Sequence, residues 1–384
     1  MAGSLGTSSV AIVGGGYVGI ELAKALEGAM QVTLIERADA FTHAPAMIRA
    51  MVDPSLLDQA LIPYDQVLSQ GTFVKGDATE IDGTGVTLAD STKVDADYIV
   101  LATGSANLPA FKSATGDIAG LRAANAAWHT ALKAASSVAI IGAGAVGTEL
   151  AGEIADAMPD KTVSLIASET ALFPGFPQKL GASLLSKLRA LKVDVILGDR
   201  ATALPDGTSP GGGTVTLSSG RTVEADLIVP AVGARLNTGL ADQLPGVKRG
   251  PDKRLVVDGW MRPSSLPNVF AAGDAADNGD LMTIVAVSRQ GPWLAKLLKS
   301  VAGGQTVRSH APYKPWGKAP ILVPLGPNRG SSFLMIATLG DWVTRMMKGR
   351  DLFITRYRKL LGQAQARRRT DGMTRPRPTP QNRK

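Results

Sequence analysis

The pattern of apolar and polar positions repeats one order of elements twice along the chain. AIVGGGYVGIELA at 11–23 and AIIGAGAVGTELA at 139–151 each begin with a β-rich apolar run, pass through glycines, and continue into a segment with helical character. An apolar run that ends at a glycine turn is typical of a buried strand. The pattern therefore predicts strand, turn and helix at both places.

Two further pairs of apolar runs extend the repeat. VTLIE at 32–36 matches VSLIA at 163–167, and YIVLATGS at 98–105 matches LIVPAVGA at 227–234, where a strand ends in a small-residue turn. Because 384 residues are too many for one ordinary core, the paired elements indicate two domains. The predicted fold class is α/β, with two doubly wound, three-layer units.

Glycine spacing in the two repeated turns indicates their chemistry. Both contain G-x-G-x-x-G, in which the first glycine permits a tight turn, the second lets a diphosphate approach the backbone, and the third lets helix and strand pack closely. The helix N-terminus that follows favours a phosphate, so the two α/β units are predicted to be Rossmann-like dinucleotide-binding domains. The candidate cofactor-binding residues are Gly14, Gly15, Gly16, Tyr17, Val18 and Gly19 in the first turn and Gly142, Gly144, Val146 and Gly147 in the second.

Residues beyond the turns distinguish the two predicted sites. Glu36 lies about 20 residues beyond the first fingerprint, where a ribose-binding acid is expected, whereas Ala167 takes that place in the second. Since rejection of a 2′-phosphate depends partly on that acid, NADPH is expected to serve as well as NADH. Thr103, Gly104 and Gly233 lie in the small-residue turns. Two dinucleotides are therefore expected, a tightly held FAD and an exchangeable NADH or NADPH, between which hydride can move.

Composition excludes several kinds of site. The chain has no cysteine, which excludes disulfides, thiolate metal sites and iron–sulfur ligation by its own residues. Its three histidines, His43, His129 and His310, are far apart in sequence, so no metal site is predicted. No signal peptide, Met-Gly myristoylation start or membrane-spanning apolar run is predicted. A cytoplasmic protein, soluble or peripheral on the inner face of a membrane, is expected.

Several motifs resemble those of two-dinucleotide-binding flavoproteins. The first fingerprint, LATGS at 101–105 and NVFAAGDAAD at 268–277 match the FAD motifs of that group. KGRDLFITRYRK at 348–359 resembles the apoptosis-inducing-factor-like, ferroptosis-suppressor branch, which is close to type II NADH:quinone dehydrogenases. The FAD contacts that this resemblance implies are Arg49, the backbone of Ala78, Asp274, whose carboxylate is expected at the ribityl chain, and Gln290 near the flavin.

The same resemblance implies a domain order that the repeats alone do not show. An FAD domain is interrupted by an inserted NAD(P) domain, resumes, and is followed by a C-terminal region. A glycine- and proline-rich stretch at 205–214 is then a hairpin loop of the NAD(P) domain. The predicted ranges are 1–111 and 251–310 for the FAD domain, 112–250 for the NAD(P) domain, 311–362 for the C-terminal region and 363–384 for a basic tail expected to be disordered.

Two glutamates follow the second fingerprint. Glu149 and Glu153 are four residues apart on one face of the same helix, with Glu149 nearer the nucleotide as a cofactor-binding candidate. By analogy with the family, Glu153 faces the flavin and the electron acceptor. A carboxyl there could relay a proton to a quinone as it is reduced, which makes Glu153 the candidate catalytic residue. A solvated helix position is the alternative interpretation.

The C-terminal part of the chain is basic. Residues 340–361 combine apolar positions at roughly helical spacing with arginines and lysines, and the tail at 363–384 holds most of the net charge of +8. Such a stretch either packs its apolar face on its own core or lies on anionic lipid, where basic residues are attracted to the surface. Both interpretations are open at this point.

The leading functional hypothesis is a FAD-dependent NAD(P)H:quinone oxidoreductase acting at or near a membrane. One alternative is a soluble reductase of a small iron–sulfur protein, for which the basic surface would attract an acidic partner. The other is a non-catalytic, nucleotide-dependent binding protein of the apoptosis-inducing-factor type. Because no nucleic-acid motif is present beyond charge, nucleic acid is not expected as a partner. The expected partners are a quinone and an anionic membrane surface.

Overall fold

The first unit is built on a five-stranded parallel sheet. The computed structural model describes residues 8–106, 108, 110–113 and 115–363. Strands of a parallel sheet are covered on both faces and therefore consist of continuous apolar runs, as the repeated sequences do. In order across the sheet, the strands are Val269–Ala271, Tyr98–Leu101, Ser9–Val13, Gln31–Glu36 and Thr72–Lys75.

Each face of this sheet is covered by a different layer. On one face lie the helices Tyr17–Leu26 and Ile284–Ala302, whose apolar residues share a buried cluster with Val10, Ile12 and Leu34. On the other face, Ala11, Val13 and Ile99 pack with a three-stranded antiparallel sheet. The strands of that sheet are Ala78–Ile81, Gly85–Leu88 and Lys93–Asp95.

The second unit repeats this arrangement on a four-stranded parallel sheet. Helices pack on one face and an antiparallel hairpin covers the other. The sheet order is Asp194–Ile196, Thr162–Ile166, Ser137–Ile141 and Leu227–Pro230, the helices are Ile118–Ala134, Ala145–Ala157 and Gln178–Ala190, and the hairpin strands are Gly213–Thr216 and Thr222–Ala225.

The stretch at 205–214 does not form the turn of that hairpin. The hairpin strands begin only at Gly213, and their turn contains Gly220 with φ of +87°. Most of the predicted loop instead leads from the sheet into the hairpin. The glycines and prolines correctly indicated irregular backbone, but a serine-glycine pair makes the turn.

The chain leaves the first unit and returns to it at one place. Ser105–Ala106 and Arg235–Leu236 pair as a short antiparallel ladder, and Val269 then pairs with Ile99 in the first sheet. The second unit is thus inserted in the first, as the family resemblance implied. The residue boundaries at 112 and 250 remain predictions.

The C-terminal region packs against both units. Val323 and Phe333 join the core of the second unit, whereas Tyr357 and Leu361 join the core of the first. Its elements are the strands Ile321–Pro324, Gly330–Phe333 and Thr338–Leu339, the helix Asp341–Thr344, a π-helical turn at Arg345–Gly349 and the helix Ile354–Leu360.

The expected amphipathic stretch at 340–361 is divided between two environments. Tyr357 and Leu361 are buried in the chain's own core, whereas Trp342, Met346 and Met347 are exposed. The backbone changes direction between them, because Leu352 and Phe353 have φ of +52° and +65°. The tail from 364 onward lies outside the described residues.

The remaining elements are short. Among the described residues, no helix is long and apolar enough to cross a membrane. The short strands are Ala40–Thr42, Leu61–Pro63, Leu255–Val256 and Ala276–Asp277, the short α-helices are Ala44–Ala50 and Leu57–Ala60, and the 3-10 turns are Pro54–Leu56, Gly239–Gln243, Gly273–Ala275 and Val307–Ser309.

Candidate functional site: two dinucleotide-binding turns

The first glycine of each fingerprint has the same unusual conformation. Gly14 has φ of +108° and Gly142 has φ of +107°, values that L side chains rarely adopt. The Gly14 N–H donates to the Ile35 carbonyl at 2.8 Å, and the Gly142 N–H donates to the Ile166 carbonyl at 2.8 Å. The two turns are therefore equivalent in hydrogen bonding as well as in sequence.

The other glycines differ in what surrounds them. A Cβ on Gly19 would lie 1.9 Å from the Gly14 carbonyl oxygen, and one on Gly147 would lie 1.9 Å from the Gly142 oxygen. A Cβ on Gly16 or Gly144 would meet nothing within 4 Å. The third glycine thus permits close packing of helix on strand, while the second faces open space at a helix N-terminus. This arrangement fits a diphosphate at both turns.

A cleft of about 500 Å³ lies over the first turn. Of the predicted FAD-site residues, it is lined by Gly14, Gly16, Tyr17, Glu36, Ala78, Thr103 and Gly104.

The other predicted FAD residues do not line this cleft. Val18 and Gly19 are buried beneath it, and the Tyr64 hydroxyl lies against Gly15, donating to its carbonyl at 2.7 Å. Arg49, Asp274 and Gln290 are also outside its wall. Lys112 and Asn237 are in the wall but were not predicted.

Glu36 is anchored at the end of its strand. Its Oε2 accepts the Gly15 N–H at 2.7 Å, and its Oε1 accepts the Ala38 N–H at 3.0 Å. These bonds aim the carboxylate into the cleft beside the fingerprint turn, where a ribose could reach it.

Ala167 occupies the equivalent place in the second unit. It directly follows Ile166 as Glu36 follows Ile35, and its N–H donates to the Ile196 carbonyl at 2.9 Å. Its side chain is buried and apolar, so it supplies no acceptor for a ribose hydroxyl and no charge against a 2′-phosphate. The predicted difference between the two sites stands on this backbone equivalence.

The small-residue turns also correspond in conformation. Gly104 has φ of +64° and Gly233 has φ of +66°, and each follows a strand that pairs with a fingerprint strand. Thr103 Oγ1 donates to the Asn237 carbonyl at 2.5 Å, and Asn237 Nδ2 donates to the Thr103 carbonyl at 3.1 Å. These bonds from the returning chain fix the small-residue turn at Thr103 and Gly104, which lies in the wall of the cleft.

The FAD motif at 268–277, which contains Asp274, lies beside Gln290. Asp274 accepts a hydrogen bond from Ser105 Oγ at 2.7 Å, and Gln290 Oε1 accepts the Gly273 N–H at 2.7 Å. The orientation of the Gln290 amide is fixed from its other end, because Nε2 donates to buried Asp280 at 3.2 Å. Asp280 also accepts from the Tyr313 hydroxyl at 2.5 Å.

Two buried ion pairs lie where the units and the C-terminal region meet. Glu153 accepts from Arg49 Nε at 2.9 Å and from Arg49 Nη2 at 2.8 Å, and Arg49 Nη1 donates to the Gly349 carbonyl at 2.7 Å. Glu149 accepts from Lys348 Nζ at 2.6 Å. Burial raises the pKa of both glutamates, and the paired cations oppose that rise.

The first of these pairs joins two residues whose roles were predicted separately. Arg49 was expected at FAD and Glu153 at the electron acceptor, and their side chains contact each other directly. The π-helical turn brings Lys348 to Glu149, and no sequence pattern predicted that contact apart from the resemblance at 348–359. The roles predicted for Arg49 and Glu153 remain predictions.

His43 connects the first turn to the C-terminal region. Its Nε2 is 2.5 Å from the Leu352 carbonyl, which can only accept, so Nδ1 accepts from the Tyr17 hydroxyl at 3.1 Å. Burial lowers the pKa of His43 to about 4. Among the described residues, no group of His, Asp and Glu side chains is arranged to hold a metal ion.

Comparison with known proteins identifies the family. The profile of pyridine nucleotide-disulphide oxidoreductases matches residues 65–291, and a second profile of the same description matches residues 9–61. The chain belongs to the pyridine nucleotide-disulphide oxidoreductase family. Its members here bind FAD and NAD(P)H, which confirms the predicted pair of cofactors. Since the chain has no cysteine, it contains no redox-active disulfide of its own.

Relatives confirm the resemblance inferred from the motifs. Apoptosis-inducing factor homolog B of Dictyostelium discoideum is 32% identical over 371 residues, covering 91% of this chain and 95% of that protein. Ferroptosis suppressor protein 1 of Xenopus tropicalis is 28% identical over 373 residues, covering 93% and 97%.

A solved structure confirms the fold. The covalent putidaredoxin reductase-putidaredoxin complex contains a chain that matches with a TM-score of 0.61 at 20% identity, covering 82% of this chain and 80% of that chain. The FAD/NAD-dependent oxidoreductase fold with two dinucleotide-binding domains is thus established.

Proposed function

We propose that this oxidoreductase passes hydride from NAD(P)H to FAD and then reduces a quinone by two electrons at or near a membrane surface. The observation that carries the proposal is the two-sided placement of residues 335–350. On one side Lys348 reaches the helix of the second fingerprint, and on the other side large apolar side chains face outward. The reaction is NAD(P)H + H⁺ + quinone → NAD(P)⁺ + quinol.

The outward side of this segment is apolar to an unusual degree. Ile336 is 95% exposed at the tip of a β-hairpin, Trp342 is 72% exposed and Met346 is 64% exposed. Met335 and Met347 are exposed as well, and Arg345 and Arg350 are exposed among them. An exposed apolar patch with basic neighbours fits an anionic bilayer, in which a quinone is dissolved. We propose that this patch contacts the cytoplasmic face of such a bilayer.

FAD, when bound, would supply the chemistry of hydride transfer. The chain therefore has to bind and orient the two nucleotides and to supply a proton. The fingerprint turns and Glu36 are proposed to hold the two nucleotides. Glu153 is proposed to relay the proton that quinol formation consumes. Both oxygens of Glu153 accept hydrogen bonds from Arg49. During the relay Arg49 therefore either moves away from Glu153 or keeps these hydrogen bonds while the proton moves.

An acceptor panel tests the proposed function. The FAD-loaded protein is supplied with NADH and, in turn, with a water-soluble quinone, a long-chain quinone in anionic vesicles, and a ferredoxin. We expect both quinones to be reduced and the ferredoxin not to be. Reduction of ferredoxin alone would favour the iron–sulfur alternative, and reduction of none would favour the binding-protein alternative.

The membrane part of the proposal is tested separately. Ile336→Asp should weaken co-sedimentation with anionic vesicles and slow reduction of the long-chain quinone, with little effect on the water-soluble one. Leu204→Asp is a matched control, since Leu204 is also exposed but belongs to the second unit. If both substitutions had equal effects, or if neither had an effect, a membrane role for the hairpin tip would be contradicted.

A further inference from the structure

Lys112 is a cation in the wall of the cleft over the first turn. The wall also contains Glu36 and Gly104, and a Cβ on Gly104 would lie 3.7 Å from Lys112 Nζ. The charges that act on Lys112 are those of Asp274 and Glu36. The ammonium group therefore lies in the electrostatic field of the two carboxylates expected at opposite ends of FAD.

The side chain has no direct partner among the described residues. Glu36 accepts the backbone N–H groups of Gly15 and Ala38, and Asp274 accepts from Ser105, so neither carboxylate forms a pair with Lys112 within 4.0 Å. Burial lowers the pKa of Lys112, and Asp274 and Glu36 raise it. A cation that is partly removed from water without a bonded anion is unfavourable, unless a ligand brings the negative charge.

The chemistry of FAD supplies that charge at the right place. Glu36 is expected at the ribose of the adenosine half and Asp274 at the ribityl chain, and the group that joins these halves is a diphosphate. The fingerprint segment at 11–23 offers backbone N–H groups but contains no arginine or lysine before position 24. Arg37, the other cation among the described residues of the cleft wall, pairs with Asp77 at 3.2 Å.

We propose that Lys112 binds the diphosphate of FAD and sets how tightly the protein retains its flavin. The charge-assisted hydrogen bond adds to the backbone donors of the turn, and it is made only when FAD is present. The proposal concerns flavin binding alone, and it holds whichever acceptor the enzyme reduces.

Lys112→Met tests this role by flavin titration of the apoprotein. We expect the Kd for FAD to rise about 10- to 100-fold, since hydrogen bonds to charged groups are the strong ones. Lys112→Arg should keep the Kd within about threefold, because arginine also binds phosphate. Lys179→Met, at an exposed lysine of the second unit, is the matched control and should leave the Kd unchanged.

Fragments of the cofactor separate phosphate binding from a general loss of structure. Lys112→Met should weaken binding of ADP but not of riboflavin, which lacks phosphate. Its apoprotein should melt no lower than the original apoprotein, because removal of an unpaired buried charge costs no native contact. The melting-temperature gain on adding FAD should shrink. Unchanged Kd values for FAD and ADP, or equal losses for ADP and riboflavin with a lower apoprotein Tm, would overturn the proposal.

Discussion

Replacing Glu153 by Gln removes one charge from a pair that joins the two units and the C-terminal region. Arg49 would keep its bond to the Gly349 carbonyl but lose the carboxylate that accepts its Nε and Nη2 groups. Removal of one partner from a buried pair costs about 3 kcal/mol. For units of this size that corresponds to a Tm lower by about 6–12 °C.

The kinetic expectation for the same variant follows from where the proton is consumed. Flavin reduction by NADH needs no proton from the chain and should stay within about twofold, whereas flavin reoxidation by quinone should slow by about 100-fold. Anaerobic stopped-flow absorbance of the flavin separates the two half-reactions. Glu224→Gln, at an exposed hairpin position, is the control and should alter neither rate.

A double-mutant cycle measures how far the stability contributions of the two paired charges depend on each other. Arg49→Met combined with Glu153→Gln should destabilise the protein less than the sum of the single changes, because neither charge is then left unpaired.

If Glu153→Gln slows both half-reactions equally, the carboxyl serves the alignment of the units and the relay is refuted. Unchanged rates in both halves would refute any role in the reaction.

Three further predictions follow from the structure. Gly16→Ala should leave the apoprotein Tm unchanged but weaken FAD binding, since its Cβ meets only the open space above the turn. Gly19→Ala should lower both the apoprotein Tm and the affinity for FAD, because its Cβ would contact the Gly14 carbonyl. Differential scanning fluorimetry with and without FAD compares the two variants. His43 should contribute stability that is present above pH 6.5 and lost toward pH 4, because its lowered pKa means that the unfolded state binds the proton first as the pH falls. The difference in unfolding free energy between the original protein and His43→Gln should change by about 1.4 kcal/mol per pH unit in that window. A pH-independent difference would contradict this prediction. Ala167→Glu should shift kcat/KM toward NADH from a starting ratio within about tenfold, and a strong starting preference for NADH that the substitution does not alter would contradict the role given to Ala167.

The duplicated turns could be predicted because their chemistry is local. A glycine in the first fingerprint position needs a positive φ, and the third needs contact between helix and strand, so the spacing alone specifies the geometry. The equivalence of Glu36 and Ala167 followed from strand alignment, and the hydrogen bonds of Gly14 and Gly142 confirm it.

The charged contacts between units could not be predicted in this way. Arg49 and Glu153 are 104 positions apart in sequence, and their pairing depends on how two separately folded units dock. The turn at 345–349 gains an extra residue as a π-helix, which no apolar periodicity indicates. Lys112 lies between the recognised motifs, and only the shape of the folded cleft brings it near Glu36 and Asp274.

The most direct test of the proposed function is a single turnover observed through the flavin. The anaerobic, FAD-loaded protein is reduced with one equivalent of NADH and then mixed with vesicles that contain a long-chain quinone. We expect loss of flavin absorbance on reduction and its full return with stoichiometric quinol. A flavin that NADH reduces but that the quinone leaves reduced would contradict quinone reduction by this protein.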